Sequence, residues 1–190
     1  LPIRPGYAFE GYFSADYGLG TQYYNADGTS ATTWDKDSDT TLYAKWSEIL
    51  YYGNFKYVDE MGFEDFRSEV FYGTLPLITP TNFGLKTGYT LEGWKVVESS
   101  DGNPYVYFTI GDVYDPGEEI TGKYENVNFV AVYTANDYTV TLDQQNGTGG
   151  TDSVTATFDS AMPTITPPTR DGYIFNGYFK NTNGGGTKYY

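Results

Sequence analysis

Carboxylates are the side chains of this sequence whose number and spacing come closest to acid–base or cation chemistry. The run Asp35-Lys36-Asp37-Ser38-Asp39 sets three of them at alternate positions, as calcium-binding loops do. An EF-hand needs Gly at the sixth position of its loop and Glu at the twelfth, and Thr40 and Trp46 stand there instead. A helix-flanked site is excluded, and the spacing leaves a solvated turn or a looser calcium site. Glu118-Glu119 and Glu64-Asp65 would offer the carboxyl pair of a glycoside hydrolase, which needs neither His nor Cys. No other feature of a cleft converges on them, and adjacent acids in a charged chain read as surface. The sequence contains no His and no Cys, which removes Ser-His and Cys-His nucleophiles, thiol redox work and zinc fingers. Gly147 to Gly150 has no Lys-Ser/Thr and no following helix, so it is not a phosphate loop. No catalytic residue, cofactor site or metal ligand is assigned, and the chain reads as non-enzymatic.

Aromatic surface is what remains. The 190 residues include 21 Tyr, 12 Phe and 3 Trp beside 23 Gly, the composition of strands and turns. Lys and Arg total 11 against 25 Asp and Glu, a formal charge of -14 that repels phosphate backbones and anionic lipid alike. Nucleic acid is therefore a poor partner. No stretch approaches the roughly 18 consecutive apolar residues of a membrane span, so no membrane insertion is expected of this segment. The start at Leu1-Pro2-Ile3-Arg4 has neither an initiator Met nor a signal-peptide apolar region and reads as cut from something longer.

Self-comparison organises the chain. A shift of 166 positions lays residues 1–24 on 167–190 without a gap and with 13 identities, among them Arg4/Arg170, Gly6/Gly172, Tyr7/Tyr173, Gly11/Gly177 and Tyr12/Tyr178. Average residue usage would give about two. A diverged copy lies between them at Gly88-Tyr89-Thr90-Leu91-Glu92-Gly93-Trp94. Leu42-Tyr43-Ala44-Lys45-Trp46 closes the first copy and Phe129-Val130-Ala131-Val132-Tyr133 the second; the third stops short of this mark. The expected organisation is 1–46 as the back of one unit, 47–135 as a complete diverged unit and 136–190 as the front of another.

Each unit reads as mostly β. Tyr138-Thr139-Val140-Thr141-Leu142 and Ser153-Val154-Thr155-Ala156-Thr157-Phe158 alternate apolar and small polar residues about the turn Asn146-Gly147-Thr148-Gly149-Gly150, which is hairpin chemistry. Pro163, Pro167 and Pro168 then require an extended crossover, and Gly172 to Phe179 is expected to be the next strand. In the middle unit 63–70 would form two helical turns, with Phe63, Phe66 and Val70 on one side, or would extend the hairpin.

The pattern Arg-x-Gly-Tyr-x-Phe-x-Gly-Tyr-Phe, the Gly-Thr-x-Tyr-Tyr turn, Trp34 and Asp39-Thr40-Thr41-Leu42-Tyr43-Ala44-Lys45-Trp46 resemble the Listeria-Bacteroides repeat, the internalin B-repeat. The resemblance covers 1–46 and 136–190 well; between 48 and 135 it holds only at 71–76, 88–94 and 129–133, and extra residues lie near 99–125. It implies tandem β-grasp-like modules in exported bacterial cell-surface proteins, serving as stalk, spacer and adhesion units, with no catalytic motif. By strict alternation Tyr12, Trp94 and Tyr178 face away from Tyr7, Phe9 and their counterparts, which would expose them to a glycan, a host surface protein or a neighbouring module. Gly11, Gly93 and Gly177 just before them would return them to the core if they mark bulges. Copies of the same protein are expected partners too, because the front and back halves are complementary and would dock head to tail by strand addition.

Overall fold

A computed structural model of the chain describes residues 1–59, 61–72, 76–82, 84–99 and 108–190. The strands are β1 (Tyr7–Phe13), β2 (Gln22–Tyr24), β3 (Tyr43–Glu48), β4 (Leu50–Val58), β5 (Glu64–Tyr72), β6 (Leu77–Ile78), β7 (Tyr89–Ser99), β8 (Val113–Tyr114), β9 (Glu119–Ile120), β10 (Val127–Ala135), β11 (Asp137–Thr141), β12 (Ser153–Thr157), β13 (Phe179–Asn181) and β14 (Gly185–Lys188). Two short 3-10 turns, Asp16–Gly18 and Thr182–Gly184, are the only helical segments among the described residues. The protein is mostly β. It divides into two compact units: Leu1–Leu85 with Leu91–Val132, and Lys86–Thr90 with Tyr133–Tyr190. The first thus holds the first partial copy together with most of the middle one. Parts of the middle copy's insertion and of the 71–76 match, at 100–107 and 73–75, lie outside the described residues.

In the first unit one sheet runs β2-β1-β3 and another β5-β4-β10-β7-β8. The second sheet places the last strand of the middle copy, β10, at its centre. β4 and β10 are parallel, Gly53 opposite Val127 and Phe55 opposite Phe129, and their rings stack with centroids 4.7 Å apart. β7 contributes Trp94 and Val96 to the same face, both fully buried, with Trp94 edge-on to Phe55 at 5.0 Å. The ribbon of β6 and β9 adds Leu77 and Ile120 to this core. Two polar groups buried in this core are satisfied: Trp94 Nε1 donates to the Pro80 carbonyl at 2.9 Å and Thr79 Oγ1 to the Asp115 carbonyl at 2.6 Å.

The helix weighed for 63–70 does not form. That stretch is β5, paired antiparallel with β4 over nine residues from Leu50/Tyr72 to Val58/Glu64. The hairpin satisfies a full ladder of backbone groups, whereas two helical turns would leave most of theirs unpaired. Phe63, Phe66 and Val70 are exposed, so the helix-like spacing reflected no buried face.

In the second unit β11 and β12 form the expected hairpin, Asp137 opposite Thr157 through Thr141 opposite Ser153. The Pro-containing stretch after it holds neither helix nor strand. Pro168 is buried against Gly147 and Gly150, where a Cβ would collide with it, and Thr148 and Thr169 exchange backbone hydrogen bonds of 2.8 and 2.9 Å. The strand expected at 172–179 starts only at Phe179, where β13 pairs with β14. In the first copy the equivalent β1 is held by β3, and the third copy offers no counterpart.

Burial shapes the alkaline behaviour of the fold. Tyr51 and Tyr114 are pushed above the ordinary tyrosine value by burial first, then by the neighbouring Tyr124 and by Asp112 and Glu118 respectively. The folded state favours their neutral form, so this contribution is whole below the unfolded value near pH 10 and is lost as pH rises through the folded values. Spectrophotometric titration should show tyrosines ionising late and together with unfolding; titration of every tyrosine near 10 with the fold intact would contradict this.

Candidate functional site

One turn is built three times. In Arg4-Pro5-Gly6-Tyr7, Lys86-Thr87-Gly88-Tyr89 and Arg170-Asp171-Gly172-Tyr173 the tyrosine N–H donates to the carbonyl three residues back, at 3.0 Å each time. The glycine has φ of 78°, 79° and 76°, the left-handed conformation that a type II turn demands at its third residue. The turn brings the first residue's cation over the tyrosine ring: Arg4 at 3.6 Å, Lys86 at 3.6 Å and Arg170 at 4.0 Å from the centroid. The Arg-x-Gly-Tyr spacing was legible; the stacked cation behind it was not.

The second repeated device is a glycine beneath a carbonyl. A Cβ on Gly11 would collide with the carbonyl oxygen of Tyr24, one on Gly177 with that of Tyr190, and one on Gly93 would lie 2.8 Å from that of Tyr114. β1 shifts register against both its partners around this point, the irregularity that a strand glycine marks. The exposure that strict alternation gave Trp94 is therefore not found. Trp94 is buried in the core and cannot stack on a ligand without opening it. Tyr12 and Tyr178 are half-buried and occupy matching nests: Tyr12 lies edge-on to Phe9 at 5.2 Å and to Tyr24 at 6.3 Å, Tyr178 to Phe175 at 5.2 Å and to Tyr190 at 6.3 Å.

The nests differ in one ring. Phe9 also packs on Trp46 of β3 at 5.4 Å, and among the described residues Phe175 has no such neighbour. In its place is a cavity of about 650 Å³, lined on one side by Val140 and Thr141 of β11 and on the other by Phe175, Tyr178 and Phe179. The Tyr178 hydroxyl is buried and makes no hydrogen bond; burial, then Asp152 and Asp143, push it above its ordinary value. Phe175 in its lining is exposed, as are the preceding Tyr173 and Ile174. Sequence reading registered that the third copy lacks its closing strand but did not place the gap that the absence leaves.

The carboxylate candidates do not assemble. Among the described residues no three acidic groups converge as a cation site. Asp35 accepts a hydrogen bond from the Tyr23 hydroxyl and pairs with Lys36 at 3.1 Å, contacts that hold its carboxyl below the ordinary range. Glu118 Oε2 accepts from the Asp115 N–H at 2.9 Å, closing its own turn. Asp65 is occupied by the Tyr57 hydroxyl at 3.1 Å.

On the outer face of the five-stranded sheet a polar file crosses four strands. Ser68 Oγ donates to Asn54 at 2.5 Å, Asn54 Nδ2 to Asn128 at 2.8 Å and Asn128 Nδ2 to Glu98 at 2.7 Å. Exposed Phe66 and Val97 flank it over a shallow depression.

A mostly β chain with thrice-repeated turn and glycine devices is a repeat protein, and comparison places the repeat. Residues 138–190 match the Listeria-Bacteroides repeat domain. Over 179 residues, 94% of the chain, it is 28% identical to a protein of Evansella cellulosilytica that is by name a Gly-rich membrane protein. The chain spans about a fifth of that relative's length, 20%. No solved structure matches.

The glycine geometry sets a test. Gly177→Ala forces a side chain at φ 118° into the Tyr190 carbonyl and is expected to cost more than about 1 kcal/mol. By NMR it should release the β13/β14 hairpin while first-unit resonances stay in place. An unperturbed hairpin would contradict the close approach.

Proposed function

We propose that the chain is a non-enzymatic repeat segment of an exported bacterial cell-surface protein, in which β-grasp-like modules act as stalk, spacer and adhesion units and join head to tail. The observation that carries this reading is repetition of construction: the same cation-capped turn, glycine approach and aromatic nest recur, and the groups that recur support the fold. The sheet order β5-β4-β10-β7-β8 supports the β-grasp description, with the first and last strands of the module parallel at the centre. Listeria-Bacteroides repeats are found in surface proteins, and the relative from Evansella cellulosilytica is by name a membrane protein. Among the described residues no helix is long and apolar enough to cross a membrane. A tandem of such units keeps length with little side contact, and the charge of -14 keeps the array dispersed in water.

A second reading rests on the outer sheet face. Amide and carboxylate groups in file beside Phe66 form the kind of surface that takes a sugar ring or a host protein. A screen of residues 1–190 against glycans and host surface proteins separates the two. The spacer reading expects no saturable binding at high concentration. Binding lost in Phe66→Ala, with an unchanged melt, would overturn it in favour of a specific binding module.

A further inference from the structure

We infer that the parallel junction of β4 and β10 is a mechanical clamp: tension passed along the chain meets it in shear, and the middle module carries that tension without unfolding. This deepens the stalk part of the proposed function and rests on it. The direction of loading follows from the topology. The chain enters from β3, which ends at Glu48, into β4 at Leu50, and it leaves through β10, which ends at Ala135 just before β11. These first and last strands are neighbours and run parallel. Tension across the module therefore draws the start of β4 one way and the end of β10 the other, along the strands. The bonds of a ladder cross between its strands, so this pull loads all of them together, whereas a hairpin pulled at its open end parts one residue pair at a time.

The pairs in the junction resist sliding. Gly53, Asn54, Phe55 and Lys56 stand opposite Val127, Asn128, Phe129 and Val130. On the inner face Phe55 and Phe129 stack with their planes 4° apart, and both are buried. On the outer face Asn54 Nδ2 donates to Asn128 at 2.8 Å, and the Tyr52 N–H donates to Asn126 at 2.9 Å. Drawing β4 back by one residue would bring Phe55 opposite Asn128. A one-residue slip changes the face of every side chain, so inward Phe55 would meet an outward amide and the Asn54/Asn128 bond would part at the same step. No partial slide keeps part of the clamp.

The neighbouring strands keep either member from peeling away. β4 is held on its other edge by β5, in an unbroken register from Leu50/Tyr72 to Val58/Glu64, and β10 on its other edge by β7. Asn128 Nδ2 donates to Glu98 of β7 at 2.7 Å, which carries the outer file across the clamp. The same module has a weak direction: β5 is an edge strand, and pulling it from β4 at the Leu50/Tyr72 end opens the hairpin pair by pair.

Single-molecule pulling on the full chain tests this. The sequence contains no Cys, so paired cysteine substitutions attach handles at chosen points. Glu48→Cys with Thr134→Cys loads β4 against β10 in shear, and Glu48→Cys with Tyr72→Cys opens β4/β5 from its end; all three positions are exposed. Forced rupture reports the barrier to unfolding, so one module should give two different forces. At a single loading rate the shear pair should rupture at several-fold higher force than the hairpin pair. It should release about 300 Å of chain in one step, at roughly 3.5 Å per residue. Asn128→Ala, which removes the outer bonds, should lower the shear force and leave the hairpin force in place. Equal forces in the two geometries, or a lower one in shear, overturn the clamp, while the stalk reading still rests on the binding screen above. A shear force unchanged by Asn128→Ala, or lowered equally in both geometries, overturns the β4/β10 junction as the element that resists.

Discussion

The middle module depends on the pairing of its first strand with its last. Phe55 on β4 and Phe129 on β10 stack across that parallel junction, and Trp94, Phe108 and Leu77 collect around them. A two-stranded hairpin is marginal alone in water, and three or more strands with an apolar face are needed for independent stability. The hairpin and the Gly-Tyr strand therefore share a core only once β10 lies between them. The ladder joins residues distant in sequence, Gly53 with Val127 through Lys56 with Val130, so its loop-closure cost falls late in folding.

Glycine and cation placement let so aromatic a sequence form such sheets. Among the described residues, sixteen glycines at positive φ punctuate strands whose rings would otherwise crowd. Gly11, Gly93 and Gly177 admit a carbonyl where a side chain would bar it. The few cations are used sparingly: Arg4, Lys86 and Arg170 cover tyrosine faces at turns, and Lys45 bridges to Glu10 at 2.8 Å beside β1. Most of the acid excess stays at the surface, where it favours solubility over packing.

The repeats, the β11/β12 hairpin and the Gly-Tyr strands of the first two copies were legible because identity at fixed offsets and period-two alternation are local signals. Helical spacing at Phe63, Phe66 and Val70 misled because the competing ladder with β4 is not local. Trp94 illustrates the same limit. Alternation counts residues and cannot see that Gly93 lets the strand yield under the Tyr114 carbonyl. The cavity beside Tyr178 was out of reach for another reason. It lies between β11 and the segment before β13, which are distant in sequence, and only coordinates turn that approach into volume.

Native-state hydrogen exchange of the full chain at low concentration tests most directly the claim that the last strand closes each module. The amides of 53–56 and 127–130, on either side of the β4/β10 junction, should be the slowest to exchange, at rates set by unfolding of the whole unit. Those of 173–178, which lie outside the strands, should exchange faster by orders of magnitude. Equal protection of the two sets, or loss of protection at β10 before β7, would contradict it.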